Sequence, residues 1–180
     1  MACRADIIKF DPYFLWKALL FWILMIVFVG IAVIVGVVKF KETKSMAADG
    51  KIINRKSMFW EDAELFTTTA TYEQLKSAVK DGDFSSSSVD IYYDADGQKA
   101  ILFKSNHAWN AKIELFGEQG DKNVFRLYFP AWKTQKYGTP YNINSMNAMV
   151  TSIEKILLSI DPATTVETSK MEVKTKTKFF

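Results

Sequence analysis

One stretch of the chain is apolar without interruption. Residues 18–38 read ALLFWILMIVFVGIAVIVGVV, and Lys17 and Lys39 stand at its two ends. At about 1.5 Å per residue, a helix of this length crosses the ~30 Å hydrocarbon core of a bilayer. A cleaved signal peptide has an apolar core of only about 7–15 residues, and a buried core helix keeps a polar stripe. The pattern therefore predicts a permanent transmembrane helix over residues 18–38.

Two segments beyond the span have the periodicity of helices. The sequence TYEQ at 71–74 matches a capping box, in which the threonine and glutamine side chains satisfy free backbone N–H groups, so a short helix is expected over 72–81. Over residues 143–160 apolar side chains recur every three or four positions, which predicts a long helix with one wide apolar face. Asn142 or Asn144 is expected to cap its start.

The pattern changes to a period of two from Val89 onward. Alternating apolar and polar residues predict strands, and the Asp-Gly pair that ends the segment 94–97 is a strong hairpin signal between two such runs. The tail over 166–180 alternates again and is expected to be either an added edge strand or disordered. The strands predicted with these rules cover residues 65–70, 89–93, 99–104, 109–116 and 123–132.

The order of these elements predicts an α+β fold. After the single transmembrane helix, an antiparallel sheet of about four to five strands would pack one apolar face against one long C-terminal helix and one short helix. The expected organisation is an N-terminal tail (1–17), the transmembrane helix (18–38), a basic juxtamembrane linker (39–56), a soluble α+β domain (57–162) and a C-terminal edge strand or disordered tail (163–180).

Charge is distributed unevenly along the chain. Three basic residues precede the span, and six lie between residues 39 and 56. The positive-inside rule therefore favours a single-pass protein of the cell membrane whose C-terminal domain is cytoplasmic. A topology determinant followed by a solvated linker is the simpler interpretation of these charges. Contact with anionic lipid headgroups is the more specific one, and its candidate residues are Lys39, Lys41, Lys44, Arg55 and Lys56.

The same distribution bears on the partners. Residues 57–160 hold ten basic and thirteen acidic side chains, and an acidic domain argues against nucleic acid, whose binding needs a basic face. The expected partners are the lipid bilayer and either another membrane protein or a second copy of this chain. Ala32 and Gly36 are the candidate helix–helix contact, because small residues four positions apart let two membrane helices approach closely.

Groups that catalysis requires are sparse. His107 is the only histidine and Cys3 the only cysteine, so a nucleophile–histidine site or a histidine metal site is hard to assemble. The acidic segment 94–97 does not fit a calcium loop, because Tyr92 and Phe103 fall where that loop needs carboxylates. Glycine motifs for phosphate binding are missing as well. The sequence predicts no enzyme, no cofactor and no metal.

Two functions are compatible with these observations. The first is a membrane-anchored accessory or protein-interaction domain that is not catalytic. The second is a membrane-tethered module that binds a lipid or another apolar ligand. The order helix, meander, long helix resembles that of helix-grip and START-like domains, and this resemblance at the level of fold implies a ligand cavity between sheet and helix.

Overall fold

The computed structural model describes residues 12–94, 97–106, 108–135 and 139–171. Several predictions concern positions outside these residues: the tail 1–11 with Cys3, the turn residues 95–96, His107, and the end of the chain, 172–180. The chain forms two compact units, Met1–Ser45 and Met46–Phe180.

The predicted apolar helix is present, and it is longer than the apolar run. Helix α1 covers Pro12–Ala48, 37 residues or about 55 Å, so the first ten residues of the expected linker are helical. Its segment Trp16–Ala48 is long and apolar enough to cross a membrane, with a mean hydropathy of 3.1 in its most apolar window and no part of that window buried. The helix ends in a Schellman motif: Gly50 has φ +65°, its N–H donates to Ala47 O, and the Lys51 N–H donates to Met46 O.

The second unit contains one antiparallel sheet of six strands in the order β2-β3-β4-β5-β1-β6. The α+β class is confirmed, and the sheet has one strand more than the upper estimate. The sixth strand is β6, which pairs with β1. Strand β1 begins three residues earlier than predicted and lies between β5 and β6. The strands are β1 (Asp62–Thr68), β2 (Val89–Tyr93), β3 (Ala100–Ser105), β4 (Trp109–Gln119), β5 (Lys122–Trp132) and β6 (Thr165–Lys170).

Two helices cover one face of this sheet. Helix α2 (Tyr72–Asp81) begins with the predicted capping box of Thr71 and Gln74, and α3 (Ile143–Ile160) begins after Asn142. Asn142 occupies the N-cap position with φ 58°, but its side chain makes no capping hydrogen bond. Asn142 is therefore at the predicted N-cap position, but its side chain does not form the hydrogen bond by which it was expected to cap the helix.

Gly82 follows α2 for a steric reason. Its φ is −75°, a value open to any residue, so the left-handed conformation that usually selects glycine after a helix is not involved here. A Cβ at this position would lie 2.9 Å from the Phe84 ring and 3.0 Å from Cδ1 of Ile156. Glycine is needed because the end of α2 lies against α3.

The core fills the layer between the sheet and the two helices. Large side chains from the central strands meet the apolar face of α3 there, and all of them are fully buried. They include Phe66, Phe103, Phe125, Met146, Met149 and Ile153. The region in which the sequence suggested a ligand cavity is thus occupied by the protein's own side chains.

A buried carboxylate joins β1, α3 and β6. Asp161 follows α3, and its Oδ2 accepts hydrogen bonds from the Thr69 N–H at 2.8 Å, the Thr69 hydroxyl at 2.9 Å and the Thr68 hydroxyl at 3.2 Å. Its Oδ1 accepts from the Ala163 N–H at 2.9 Å. These donors, first of all the two backbone N–H groups, lower the pKa of Asp161 to about 2.

This carboxylate should make the unfolding temperature depend on pH in acid. Because the folded-state pKa lies below the unfolded-state value, the stabilisation by Asp161 is present above about pH 4 and is lost as the pH falls toward 2. We expect Asp161→Asn to have a lower Tm at pH 7 and a smaller fall in Tm between pH 4 and 2, measured by circular dichroism of the full chain in detergent. Asp121→Asn, at an exposed position, is the control. Equal acid slopes in the wild type and Asp161→Asn would contradict this assignment.

Candidate functional site

Four of the five candidate membrane-surface residues have exposed side chains. Lys39, Lys41 and Lys44 are exposed on the last turns of α1, beyond the apolar run, and Lys56 is exposed as well. Helix geometry spreads the first three around the axis, because each residue advances by about 100°. This part of the predicted set remains a proposal.

Arg55 differs from these four lysines. Its guanidinium donates to Glu64 at 2.5 Å, to Glu154 at 2.7 Å and to the Asn147 side-chain oxygen at 3.2 Å. The Arg55 side chain is only 8% exposed. A contact with lipid would require these three bonds to break, so we remove Arg55 from the membrane-surface set.

The Arg55 cluster, made up of Arg55, Glu64, Glu154 and Asn147, holds one positive and two negative charges beside the core. Burial raises the pKa of Glu64, Arg55 opposes that shift, and repulsion by Glu154 adds to it. Oε2 of Glu64 is buried and has no hydrogen-bond partner among the described residues. The cluster is therefore sensitive to any change in its single cation.

The Arg55 cluster and several further contacts hold the segment 50–56 against α3. Ile52 is buried, the Asn147 amide donates to Ile53 O at 2.8 Å, and the Lys155 ammonium donates to Gly50 O at 2.5 Å. These residues were expected to form a solvated linker. In the structure they belong to the compact unit that begins at Met46.

The sheet face opposite the helices is amphipathic. Tyr92 is 47% and Phe116 is 55% exposed there. Phe116 is the extra residue of a β-bulge, since the register of β4 and β5 shifts between Leu115 and Gly117. The Arg126 guanidinium lies 4.2 Å from the centre of the Phe116 ring. A bulge thus places an aromatic ring on the surface, and a cation packs against it.

Charged side chains on this outer face form a network. Glu114 accepts from the Lys112 ammonium at 2.9 Å and from the Arg126 guanidinium, whose Nε lies 3.0 Å from Oε1. Partial burial acts to raise the pKa of Glu114, but the hydrogen bonds and charges of Arg126 and Lys112 together outweigh it, so the pKa lies below its usual value. The network therefore places ion-paired side chains next to the exposed Phe116 ring.

A cleft of about 440 Å³ opens where the central strands end. Asp90, Lys104, Asn110 and Ala131 are successive cross-strand neighbours over β2 to β5, and all four line it. The methyl group of Ala131 leaves space in a row of longer side chains. A volume in this range suits a small ligand, and the cleft combines polar groups with the apolar residues Ala108, Trp109, Ala131 and Trp132.

The predicted helix–helix contact residues lie on α1. Ala32 and Gly36 are exposed on α1, and a Cβ at Gly36 would meet no atom within 4 Å. Within the described ranges, no group of three or more His, Cys, Asp or Glu side chains could hold a metal ion. The sequence pointed to neither the Arg55 cluster nor the cleft, since both depend on the register of distant segments.

Comparison with family models, curated proteins and solved structures finds no match to this chain.

Proposed function

We propose that this chain is a single-pass, membrane-anchored accessory domain that binds another membrane protein and carries out no catalysis. Helix α1 is its anchor in the cell membrane, and the excess of basic residues after the apolar run favours a cytoplasmic domain. Lys39, Lys41, Lys44 and Lys56 would contact anionic headgroups.

The observation that carries the interaction proposal is the outer face of the sheet. Tyr92 and Phe116 are large aromatic side chains that are both about half exposed on this face, and each offers apolar surface that a partner could cover. Aromatic rings and arginine are the residue types enriched in protein interfaces. Arg126 already packs on Phe116, so part of this surface is ordered before any partner binds.

Site-specific photo-crosslinking in the native membrane tests this proposal. A photoreactive amino acid at Tyr92 or Phe116 should give one adduct of defined mass, whereas the same amino acid at Glu73, exposed on α2, should give none. Equal adduct formation at all three sites would indicate random collisions and contradict the assignment. The absence of adducts at Tyr92 and Phe116 would contradict it too.

Ligand binding is the second candidate, and the 440 Å³ cleft is the observation that favours it. We place this ligand in the cleft and not between sheet and helix, because the inner layer is filled by the core. Lys104 and Asn110 could bind its polar end, and Trp109 and Trp132 its apolar part. A small ligand leaves no protein adduct in the crosslinking experiment, which separates the two candidates.

A further inference from the structure

A second cleft lies on the other side of the domain, where α3 meets the segment after α1. It has a volume of about 250 Å³, and its lining includes Lys51, Asp83, Ser86, Ser152 and Lys155. These residues come from three separate segments of the chain. Hereafter they are called the two-lysine cleft.

The two lysine ammonium groups of this cleft have hydrogen-bond donors that no described protein group accepts. Lys155 donates one hydrogen bond, to Gly50 O at 2.5 Å, which fixes its ammonium and leaves two further donors. Lys51 is exposed, and in the described part of the chain no carboxylate lies within ion-pair distance of it. Two ammonium groups therefore stand at one cleft with donor capacity to spare.

One acid also lines the cleft. The Asp83 carboxylate accepts a hydrogen bond from the Ser85 N–H at 2.9 Å. Its pKa is lowered, first by the hydrogen bonds from Ser85 and to a smaller extent by the positive charge of Lys51. The hydroxyl of Ser152 donates to the backbone oxygen of Asp83 at 3.4 Å, and the Ser86 side chain also lines the cleft. With two lysines and one aspartate, the cleft has a net charge of +1.

We propose that the two-lysine cleft binds a phosphate group, carried either by a soluble molecule or by a lipid headgroup. Lysine ammonium groups bind phosphate as point charges. The Ser86 hydroxyl adds a donor for one of the remaining oxygens. This inference goes beyond the proposed function, because soluble phosphate would bind even if the outer sheet face had no partner.

The test uses the full chain in neutral detergent, titrated with inorganic phosphate by calorimetry at constant ionic strength. We expect saturable binding that weakens on the order of tenfold in Lys51→Gln and in Lys155→Gln, the loss that corresponds to one charge-assisted hydrogen bond. Asp83→Asn should bind phosphate more tightly, since it removes the negative charge. Lys99→Gln, an exposed lysine on the β2–β3 connection, is the matched control and should bind like the wild type.

The two sources of phosphate are separated in nanodiscs. Inorganic phosphate should bind equally in phosphatidylcholine discs with and without phosphatidic acid if the natural ligand is soluble. Discs with phosphatidic acid should weaken its binding if a headgroup occupies the cleft. No saturable binding in detergent, or an equal loss in Lys99→Gln and Lys51→Gln, would overturn the site. Unchanged binding in Asp83→Asn would show that the anion lies elsewhere.

Discussion

Replacing Arg55 by alanine should lower the free energy of unfolding by about 3–5 kcal/mol, the usual cost of leaving a buried charge without its partner. Glu64 would lose the guanidinium that pairs with it while Glu154 remains close by. Asn147 would lose one hydrogen bond as well. Urea unfolding of the full chain in detergent measures the change, followed by the fluorescence of the domain tryptophans.

Two variants control this experiment. Lys56→Ala removes a neighbouring exposed charge and should change the unfolding free energy by less than about 0.5 kcal/mol. Arg55→Ala combined with Glu64→Gln should recover part of the loss, because the uncompensated carboxylate is then gone. An Arg55→Ala protein as stable as Lys56→Ala would show that the Arg55 cluster contributes little to the fold.

Two lysines in the middle of α1 should abolish membrane insertion. Each lysine near the centre of a spanning helix costs about 2.5–3.5 kcal/mol on insertion scales, so Val27→Lys with Ile31→Lys should cost roughly 5–7 kcal/mol. Alkaline carbonate extraction checks the outcome: the wild type should remain in the membrane pellet and the double variant should be released. Phe40→Lys, beyond the apolar run, is the matched control and should stay in the pellet. Retention of the double variant would mean that α1 is not what holds the protein.

Thiol labelling of intact cells measures the orientation of the chain in the membrane. The chain has one cysteine, Cys3, before the apolar run, and Glu118→Cys combined with Cys3→Ala moves the thiol to an exposed position in the domain. In intact cells an impermeant maleimide should label Cys3 at once and the domain thiol only after detergent is added. The reverse pattern would place the domain outside the cell, and labelling of both thiols would contradict a spanning helix.

Local chemistry made the helices predictable. The capping box at Thr71 and the apolar stripe over 143–160 act over a few residues, and α2 and α3 begin and end within a residue of expectation. The end of α1 was missed because the charged residues after Lys39 look like a linker. Charged residues are good helix formers, and the actual stop signal is the glycine at position 50.

Register was much harder to predict from the sequence. The Asp-Gly pair indicated a tight hairpin, whereas Tyr93 pairs with Ile101 and the connection is longer. Strand β1 begins earlier than predicted for a related reason. Acidic residues such as Asp62 and Glu64 are uncommon in strands, and it is their pairing with β6, and that of Glu64 with β5, that makes them part of one. These pairings join residues that are far apart in sequence, so no local sequence pattern indicates them.

The position of β6 has a consequence for the solubility of the chain. Among the described residues this strand pairs with β1 alone, at the edge of the sheet, and its side chains are mostly exposed and polar. Proteolysis just after α3 would remove it and turn β1, with Leu65 and Phe66, into an open edge. Open apolar edges recruit strands from other molecules. Strand β6 thus protects the sheet from aggregation, even though it contributes almost nothing to the core.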